Sequence, residues 1–369
     1  MSGPAPLSVP PSRQSAAAAS LEPRRRARAA PAVSAVIVTY KEIELTLAAV
    51  ASLKRQTVPV FEVIVVDNDP AGSVRAPMRR AHPDVTVLHA DNVGYAAGCN
   101  LGAGVASGDW LFFLNPDAAA DPDCLEKLLD VAAEHPEAGI VTPQILFPDH
   151  STINAGENRI HLTGIAWCGH YGEPAEDAPA RRVFITTGTA MLVERALYER
   201  LDGYCDDFFL FYEDPDICWR TWVAGREVWY VPRAQVIHHY TWGTSSTKWF
   251  YLERHRWLAL LSNFRWTTLL VLLPMLAATE AALLIVAGRE GWRDEKLRAY
   301  RAVWERRAWI RERRRRLEAV RRRPDAEILP RFTATVDSVQ IESPIARRMA
   351  PALRAYRAAA VAAVRRLGR

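Results

Sequence analysis

Short apolar runs alternate with helical patterns between residues 34 and 117, and this alternation restricts the fold more than any other feature of the chain. Runs of four or five such residues bounded by polar segments predict buried strands. They fall at residues 35–38, 63–66, 85–88 and 110–114. Helical spacing follows the first run at Leu45, Ala48, Ala49, Ser52 and Leu53, and a helix of small residues is predicted over 96–107. Strands alternating with helices indicate a wound α/β layer.

Polar features follow three of these strands at their carboxyl ends: Asp67, Gly94 and Asp117. Ligands of open α/β sheets bind outside the carboxyl ends of the strands, so we expect the three features to face one ligand site. Asp67 is suited to accept a hydrogen bond from a ring N–H of a bound base. An aspartate at a strand exit is also a common turn former, which is the alternative.

Glycines open the predicted helix that follows the third strand. Gly94 and Gly98 would let the backbone approach a diphosphate, and the free N–H groups of the first turn favour an anion. The segment does not follow G-x-G-x-x-G, which disfavours a nicotinamide cofactor. Packing of the helix through small residues is the alternative.

Asn115 and Asp117 have a spacing suited to a hard divalent cation shared with phosphate oxygens, or to a turn around Pro116.

The densest group of carboxylates lies at residues 213–216, among aromatic residues. Carboxylates beside aromatic surface can acquire the raised pKa that a general base needs. Asp214 and Pro215 would alternatively serve as helix-capping residues. His238 and His239 end a predicted strand at residues 234–237, where they would be metal ligands or structural residues.

The order of these features resembles the family-2 glycosyltransferases of the GT-A fold, especially bacterial rhamnosyltransferases and galactofuranosyltransferases. The resemblance spans about residues 34–246, and residues 204–220, Tyr-Cys-Asp-Asp-Phe-Phe-Leu-Phe-Tyr-Glu-Asp-Pro-Asp-Ile-Cys-Trp-Arg, are its most specific part. It implies an α/β fold of the GT-A nucleotide-diphospho-sugar transferase type, a wound mixed sheet flanked by helices. It also implies an inverting, metal-dependent enzyme that uses magnesium or manganese and a nucleoside diphosphate sugar.

The resemblance further assigns roles to individual residues. Asp214 matches the catalytic base, and Asp117 with His238 matches the metal-binding pair. The donor site would comprise Thr39, Tyr40, Asp67, Asn92, Gly94, Gly98, Asn100, Asn115 and Asp117. The acceptor side would comprise Gly188, Glu213, Trp219 and His239. This sequence departs from the family pattern at Lys41, Asn115 and Cys205, of which Lys41 and Cys205 affect the expected donor and acceptor contacts.

The charge is unevenly distributed. Residues 1–30 carry five Arg and one Glu, and residues 289–369 carry 23 Arg or Lys against 10 Asp or Glu, so a net charge of +5 leaves −12 for residues 31–288. The apolar stretch 269–287 is interrupted by Pro274 and Glu280 and has basic flanks on both sides. This pattern favours helices lying on the cytoplasmic face of the bacterial inner membrane, peripheral or monotopic, over a single span. A buried helix is the alternative.

We therefore expect a disordered tail at 1–32, a catalytic domain at 33–247, membrane-associated helices at 248–290 and a basic helical region at 291–369. The expected partners are a dTDP- or UDP-sugar, a polyprenyl-diphosphate-linked acceptor and an anionic membrane, without nucleic acid. The five cysteines suggest neither a disulfide framework nor a zinc site. dTDP-rhamnose is the favoured donor and UDP-galactofuranose the second. The competing classes are a non-catalytic scaffold and a nucleotidylyltransferase, although the turn after the first strand lacks the glycines of the latter.

Overall fold

The structure, a computed structural model, describes residues 31–239, 246–337 and 344–367. The chain from Ala32 to Arg369 forms one compact unit. The disordered tail expected at residues 1–32 lies almost entirely outside the described residues.

The first part of the chain forms alternating strands and helices. These are β1 (Val33–Thr39), α1 (Ile43–Leu53), β2 (Glu62–Asp67), α2 (Arg75–Ala81), β3 (Thr86–His89), α3 (Tyr95–Val105) and β4 (Trp110–Leu114). β1 pairs in parallel with β2 and with β4, and β2 pairs in parallel with β3. The four strands predicted from sequence are confirmed. The predicted helices are also present, with α3 beginning one residue early and ending two residues early.

The middle of the chain completes a mixed sheet. Its elements are β5 (Ala118–Ala120), α4 (Cys124–Glu134), β6 (Ala138–Leu146), β7 (Ile153–Ala155), β8 (Arg159–Ile160), β9 (Ala166–Trp167), β10 (Arg181–Val183), β11 (Ala190–Glu194), α5 (Arg195–Arg200), α6 (Glu213–Val223) and β12 (Glu227–His238). The main strand order is β10-β12-β6-β11-β4-β1-β2-β3. β11 is antiparallel to β4 and β6, whereas β12 runs parallel to β6.

Apolar layers cover both faces of the sheet, which explains why its strands are continuous apolar runs. On β1, Val36 and Val38 face one layer and Ala35 and Ile37 face the other. Residues 145–182 show no clear hydrophobic period in the sequence, which favours loop and irregular structure, yet they contain β7, β8 and β9. Strands of two or three residues are too short to give a periodic signal in the sequence.

The C-terminal part is helical. It comprises α7 (Ser246–Asn263), α8 (Trp266–Glu290), α9 (Arg293–Glu305), α10 (Arg307–Val320), α11 (Asp325–Ile328) and α12 (Pro344–Leu367). α8 continues through Pro274. Among the described residues it is the one helix whose length and composition would allow it to cross a membrane, a weak criterion that core helices also meet.

The acid in the middle of α8 belongs to a buried ion cluster. Glu280 accepts hydrogen bonds from Arg256 of α7 (2.6 Å) and Lys296 of α9 (2.9 Å), and also from the Tyr300 hydroxyl. Glu253 of α7 binds the same two basic residues. Charges inside a protein persist when they are paired and hydrogen-bonded. The carboxylate of Glu280 is therefore directed into the protein.

The sequence spaces Leu297, Tyr300, Val303 and Trp304 as one apolar stripe on α9, but the structure does not bury this stripe as a unit, because only Tyr300 and Val303 are half-buried. Leu297 is 46% exposed and Trp304 is 70% exposed, whereas Lys296 and Ala299 are buried. The ion cluster requires Lys296 on the inner face of α9. This requirement, and not the spacing of the apolar residues, determines the rotation of the helix.

Many arginines of the basic region are used within the fold. Arg313 pairs with the fully buried Asp216, Arg321 pairs with Asp325, and Arg314 donates to the backbone oxygen of Phe264 at 2.6 Å. The positive charge counted in the sequence therefore overstates the charge that this region presents to solvent.

Candidate active site

The pairing of β5 with β12 brings together two of the predicted site residues. Ala118 lies opposite His238 in the antiparallel register, and the preceding Asp117 therefore reaches the end of β12. Oδ1 of Asp117 is 3.2 Å from Nε2 of His238, and the backbone N–H of His239 donates to the backbone oxygen of Asp117 at 2.9 Å. Burial works to raise the pKa of Asp117, but His238 lowers it overall, with a smaller contribution from His239.

A third side chain orients this histidine. Nδ1 of His238 lies 3.0 Å from Oδ1 of Asn154, on β7. Because Oδ1 of Asn154 can only accept, Nδ1–H donates to it and Nε2 faces the carboxylate of Asp117. Nε2 and Oδ1 of Asp117 share a hydrogen bond at 3.2 Å, and both atoms would coordinate a cation that displaces the Nε2 proton.

The donor set suits a cation that keeps substrate or water ligands. Within the described residues, no group of three or more His, Cys, Asp or Glu side chains is arranged to hold a metal ion. One carboxylate and one imidazole are enough for Mg²⁺ or Mn²⁺ when phosphate oxygens complete the coordination. The residues present therefore fit the expected metal, which Asp117 and His238 would hold.

Asp214 lies in the first turn of α6, next to a strained turn. Phe211 and Tyr212 precede the helix with φ values of 70° and 75°, a region that side-chain-bearing residues rarely occupy. The backbone N–H of Gly188 donates to Oδ2 of Asp214 at 2.9 Å. A Cβ at Gly188 would lie 3.2 Å from the Cβ of Asp214, so glycine allows this approach. Burial raises the pKa of Asp214 well above the ordinary 3.8, although the bond from Gly188 opposes the shift.

Gly188 also connects Asp214 to two other parts of the predicted site. The hydroxyl of Tyr95, at the start of α3, donates to the backbone oxygen of Gly188 at 3.3 Å. The next residue, Thr189, accepts a hydrogen bond from the N–H of Asn115 at 2.8 Å. The start of α3, the end of β4 and the start of α6 therefore meet around this glycine.

One of the residues expected on the acceptor side, Trp219, lies in the core. Trp219 is fully buried and packs against Phe264 and Phe332, so it belongs to the core and not to the site. Glu213, next to Asp214, is also buried; burial raises the pKa values of Tyr95 and Cys99 on α3, and Glu213 adds a smaller contribution to both shifts. Helical spacing explains this: Trp219 is five residues beyond Asp214 and points into the core behind α6, while Glu213 faces α3.

Asp67, which is expected to contact the base of the nucleotide, lies in an ordered turn before α2. Asp67 is fully buried, and its Oδ2 accepts hydrogen bonds from the N–H groups of Val74 (3.0 Å) and Arg75 (3.2 Å). It thereby satisfies free donors at the start of α2, as an N-cap would. Thr39 is buried against Thr46 of α1, while Tyr40 is 44% exposed with the Lys41 ammonium 5.0 Å from its ring centre.

The glycine segment before α3 packs closely against protein atoms. Gly94 has φ 90°, and a Cβ there would lie 2.5 Å from the backbone oxygen of Phe209. Gly98 contacts Val38 of β1, which fits the packing alternative for this residue. Asn100 donates to the backbone oxygen of Tyr204 at 2.9 Å and accepts from its N–H, and thus holds the 203–206 turn. Asn92 is exposed in a left-handed conformation.

Sequence reasoning missed several residues that hold the site together. Asn68 bonds Val93 N–H (2.9 Å) and the Gly94 oxygen (3.3 Å), and its position directly after Asp67 was a usable signal. Tyr95, which bonds Gly188, lies within the glycine segment. Asn154 had no signal, because it lies in the stretch without a periodic pattern.

The fold agrees with comparisons of this chain with known proteins. The sequence model of glycosyl transferase family 2 matches residues 34–202. The N-acetylglucosaminyl-diphospho-decaprenol L-rhamnosyltransferase of Mycobacterium tuberculosis is 30% identical over 246 residues, which cover 60% of this chain and 80% of that protein. The chain belongs to glycosyltransferase family 2 and is a glycosyltransferase.

Two further similarities extend this result. The O-antigen biosynthesis protein RfbC of Myxococcus xanthus is 29% identical over 227 residues, covering 58% of this chain and 18% of that protein. A crystal structure of GalNAc-T7 with UDP, GalNAc and Mn²⁺ superposes with a TM-score of 0.50 at 17% identity, covering 62% of this chain and 48% of that one. The latter supports the GT-A fold.

Proposed function

We propose that this glycosyltransferase moves one sugar, with inversion, from a nucleoside diphosphate donor to a hydroxyl of a lipid-linked acceptor. The single observation that carries the proposal is Asp214, held by the Gly188 N–H at the start of α6 and joined through residues 188–189 to the end of β4. A raised pKa makes this carboxylate a stronger base than an ordinary aspartate. One positioned base is sufficient for a single displacement at the anomeric carbon.

The steps for the protein follow from this arrangement. Asp214 accepts the proton of the acceptor hydroxyl while that oxygen forms its bond to the anomeric carbon. Asp117 and His238 would hold the cation, with Asn154 orienting the imidazole. When bound, the cation supplies charge neutralisation for the departing nucleoside diphosphate. The strained turn at Phe211 and Tyr212 fixes where α6 begins, and so fixes the position of the base.

The donor proposed is dTDP-rhamnose. Support comes from the Mycobacterium tuberculosis relative, whose name states an L-rhamnosyltransferase. Uracil and thymine present the same N3–H, so a base-reading role for Asp67 would not separate UDP from dTDP. UDP-galactofuranose is the second donor to test.

The acceptor proposed is a polyprenyl-diphosphate-linked glycan at the cytoplasmic face of the bacterial inner membrane. The same relative is named for a diphospho-decaprenol acceptor. α8 supports a peripheral or monotopic attachment, because apolar side chains are exposed along it while Glu280 points inward. The exposed residues are Trp266 (55%), Leu270 (69%), Leu273 (56%), Ile285 (58%) and Val286 (38%). A contiguous exposed apolar face of this kind marks a surface that another phase or molecule covers.

The test is a matrix of donors and acceptors with detergent-purified full-length protein. dTDP-rhamnose, UDP-galactofuranose and other UDP-sugars are each offered with a short-chain N-acetylglucosaminyl-diphospho-prenol, and product is detected by mass spectrometry. We expect rhamnose transfer that requires Mg²⁺ or Mn²⁺ and is abolished by EDTA. Transfer from a UDP-sugar alone would replace the donor assignment. No transfer from any donor, with dTDP and UDP binding intact, would contradict the acceptor class.

A further inference from the structure

The turn that leads into α6 has a backbone conformation that needs support from other parts of the chain. Phe211 and Tyr212 both have positive φ values, and α6 begins at Glu213 without a side-chain cap. Backbone of this kind costs free energy and persists only where the surrounding residues hold it. The residues around the turn therefore determine where α6 begins and where Asp214, in its first turn, lies.

One of these residues is His255, in the middle of α7. Its Nδ1 lies 2.8 Å from the backbone oxygen of Phe211, and its ring stacks on Phe208 with 4.5 Å between centroids and 8° between the planes. His255 is fully buried, so bulk water does not compete for either contact. The imidazole therefore contacts the turn through one hydrogen bond and one ring face.

Arg254 determines which nitrogen of this imidazole carries the proton. Its guanidinium, which can only donate, lies 3.0 Å from Nε2 of His255, so Nε2 is the acceptor. The proton is therefore on Nδ1, and Nδ1–H donates to the backbone oxygen of Phe211. Burial and the charge of Arg254 lower the pKa of His255 to about 3, so the ring is neutral at neutral pH.

The same arginine holds the beginning of the turn. Its guanidinium donates to the backbone oxygen of Asp207 at 2.6 Å and to Oδ1 of that residue at 2.9 Å. Arg306, which follows α9, also pairs with the carboxylate of Asp207 at 2.9 Å. Arg254 and His255, two consecutive residues of α7, therefore bind the two ends of the segment 207–211.

The next residue of α7 supports the other side of the turn. Arg256 donates to the backbone oxygen of Thr163 at 2.9 Å, and the following Gly164 accepts the hydroxyl of Tyr212 at 2.5 Å. Tyr212 keeps this bond when His255 is replaced. We therefore expect a substitution of His255 to loosen the turn without unfolding α6.

We propose that His255 is a positioning residue for the catalytic base, and that it holds the carbonyl of Phe211 so that Asp214 meets the acceptor hydroxyl. Arg254 supports this role by keeping the proton of His255 on Nδ1. This inference rests on the proposed function, in which Asp214 accepts the proton. It adds α7, the first of the C-terminal helices, to the elements that determine the rate of transfer.

Two substitutions of nearly equal size separate the hydrogen bond from the packing. The amide of His255→Asn offers a donor close to the position of Nδ1, whereas His255→Leu has none. Both variants lose the stacking on Phe208, so the difference between them measures the contact with Phe211. Leu128→Ala is the stability control, because Leu128 of α4 is fully buried in the apolar layer on the opposite face of the sheet.

Steady-state kinetics are measured with a donor and an acceptor that support transfer by the wild type. We expect His255→Leu to lower kcat by about 10- to 100-fold, the rate equivalent of one buried hydrogen bond. The KM for the donor should change by less than about twofold, and His255→Asn should keep kcat within about fivefold of wild type. Equal losses of kcat in both His255 variants, or a similar loss in Leu128→Ala, would overturn the positioning role in favour of a general effect on stability.

Hydrogen exchange separates this inference from the proposed function, because it needs no substrate. Exchange of the backbone amides of residues 207–217 is followed by mass spectrometry in wild type and the same three variants. Faster exchange there in His255→Leu, and not in His255→Asn or Leu128→Ala, supports the role of His255 in holding the turn even if no donor gives transfer. Equal exchange in wild type and His255→Leu contradicts that role even if transfer succeeds.

Discussion

Substitution of Arg313 by methionine should destabilise the protein, because it removes a partner of Asp216, a buried carboxylate on α6. Asp216 of α6 is fully buried, and it accepts hydrogen bonds from Arg220 (2.8 Å), Arg313 (2.5 Å) and Asn263 (3.0 Å). The attraction of the two arginines lowers the pKa of Asp216 although burial opposes this. Arg313 therefore connects α10 to α6, the helix that carries the proposed base.

The magnitude follows from what remains after the change. Breaking a buried ion pair by removing one partner costs about 3–5 kcal/mol. Asp216 keeps Arg220 and Asn263, so we expect the lower end, about 3 kcal/mol. Methionine preserves most of the packing against Phe208 and Trp309. For a chain of this size, that loss corresponds to a fall in Tm of about 4 °C.

The assay is thermal and urea unfolding of the purified protein at neutral pH. Arg311→Met is the matched control, because Arg311 is exposed on the same helix, and its effect should stay below about 0.5 kcal/mol. In a double-mutant cycle with Asp216→Asn, the double variant should lose about 1–3 kcal/mol less stability than the sum of the two single losses. Equal stability of the Arg313 and Arg311 variants, or full additivity in the cycle, would refute the reasoning.

Three further predictions concern the site and the apolar face. Asn154→Ala should weaken Mn²⁺ binding by about 10- to 100-fold, measured by calorimetry, because His238 loses the partner that orients it; unchanged binding would exclude that role. The kcat should rise with pH over a range well above 3.8, because Asp214 must lose its proton to act and burial raises its pKa; a profile flat from pH 5 to 9 would contradict this. Leu273→Glu on α8 should reduce flotation with anionic vesicles several-fold, whereas Leu101→Glu, at a similarly exposed position on α3, should not. An equal reduction by both variants would contradict the proposal that α8 attaches the protein to the membrane.

The sequence predicted the strands well because their signal is local. β1, β2 and β4 are buried on both faces, and such strands are continuous aliphatic or aromatic runs in any α/β sheet. The resemblance to family-2 glycosyltransferases also implied that Asp117 and His238 would be neighbours, which the β5–β12 register explains.

The features that could not be predicted depend on contacts between distant segments. The rotation of α9 is set by Lys296, whose partners Glu253 and Glu280 lie on two other helices. The role of Asn154 depends on a three-residue strand pairing with β6, and neither residue type nor spacing indicates it. The inward position of Trp219 follows from core packing against Phe332, more than 100 residues away in the chain.

Transfer by Asp214→Asn tests the central claim most directly, because asparagine keeps the shape of the side chain and cannot accept the proton. Single-turnover transfer and dTDP binding are measured for wild type, Asp214→Asn and the exposed-site control Asp84→Asn. We expect the rate of transfer to fall by about 10²- to 10⁴-fold in Asp214→Asn alone, with the Kd for dTDP unchanged. A rate near that of wild type in Asp214→Asn would contradict the assignment of Asp214 as the catalytic base.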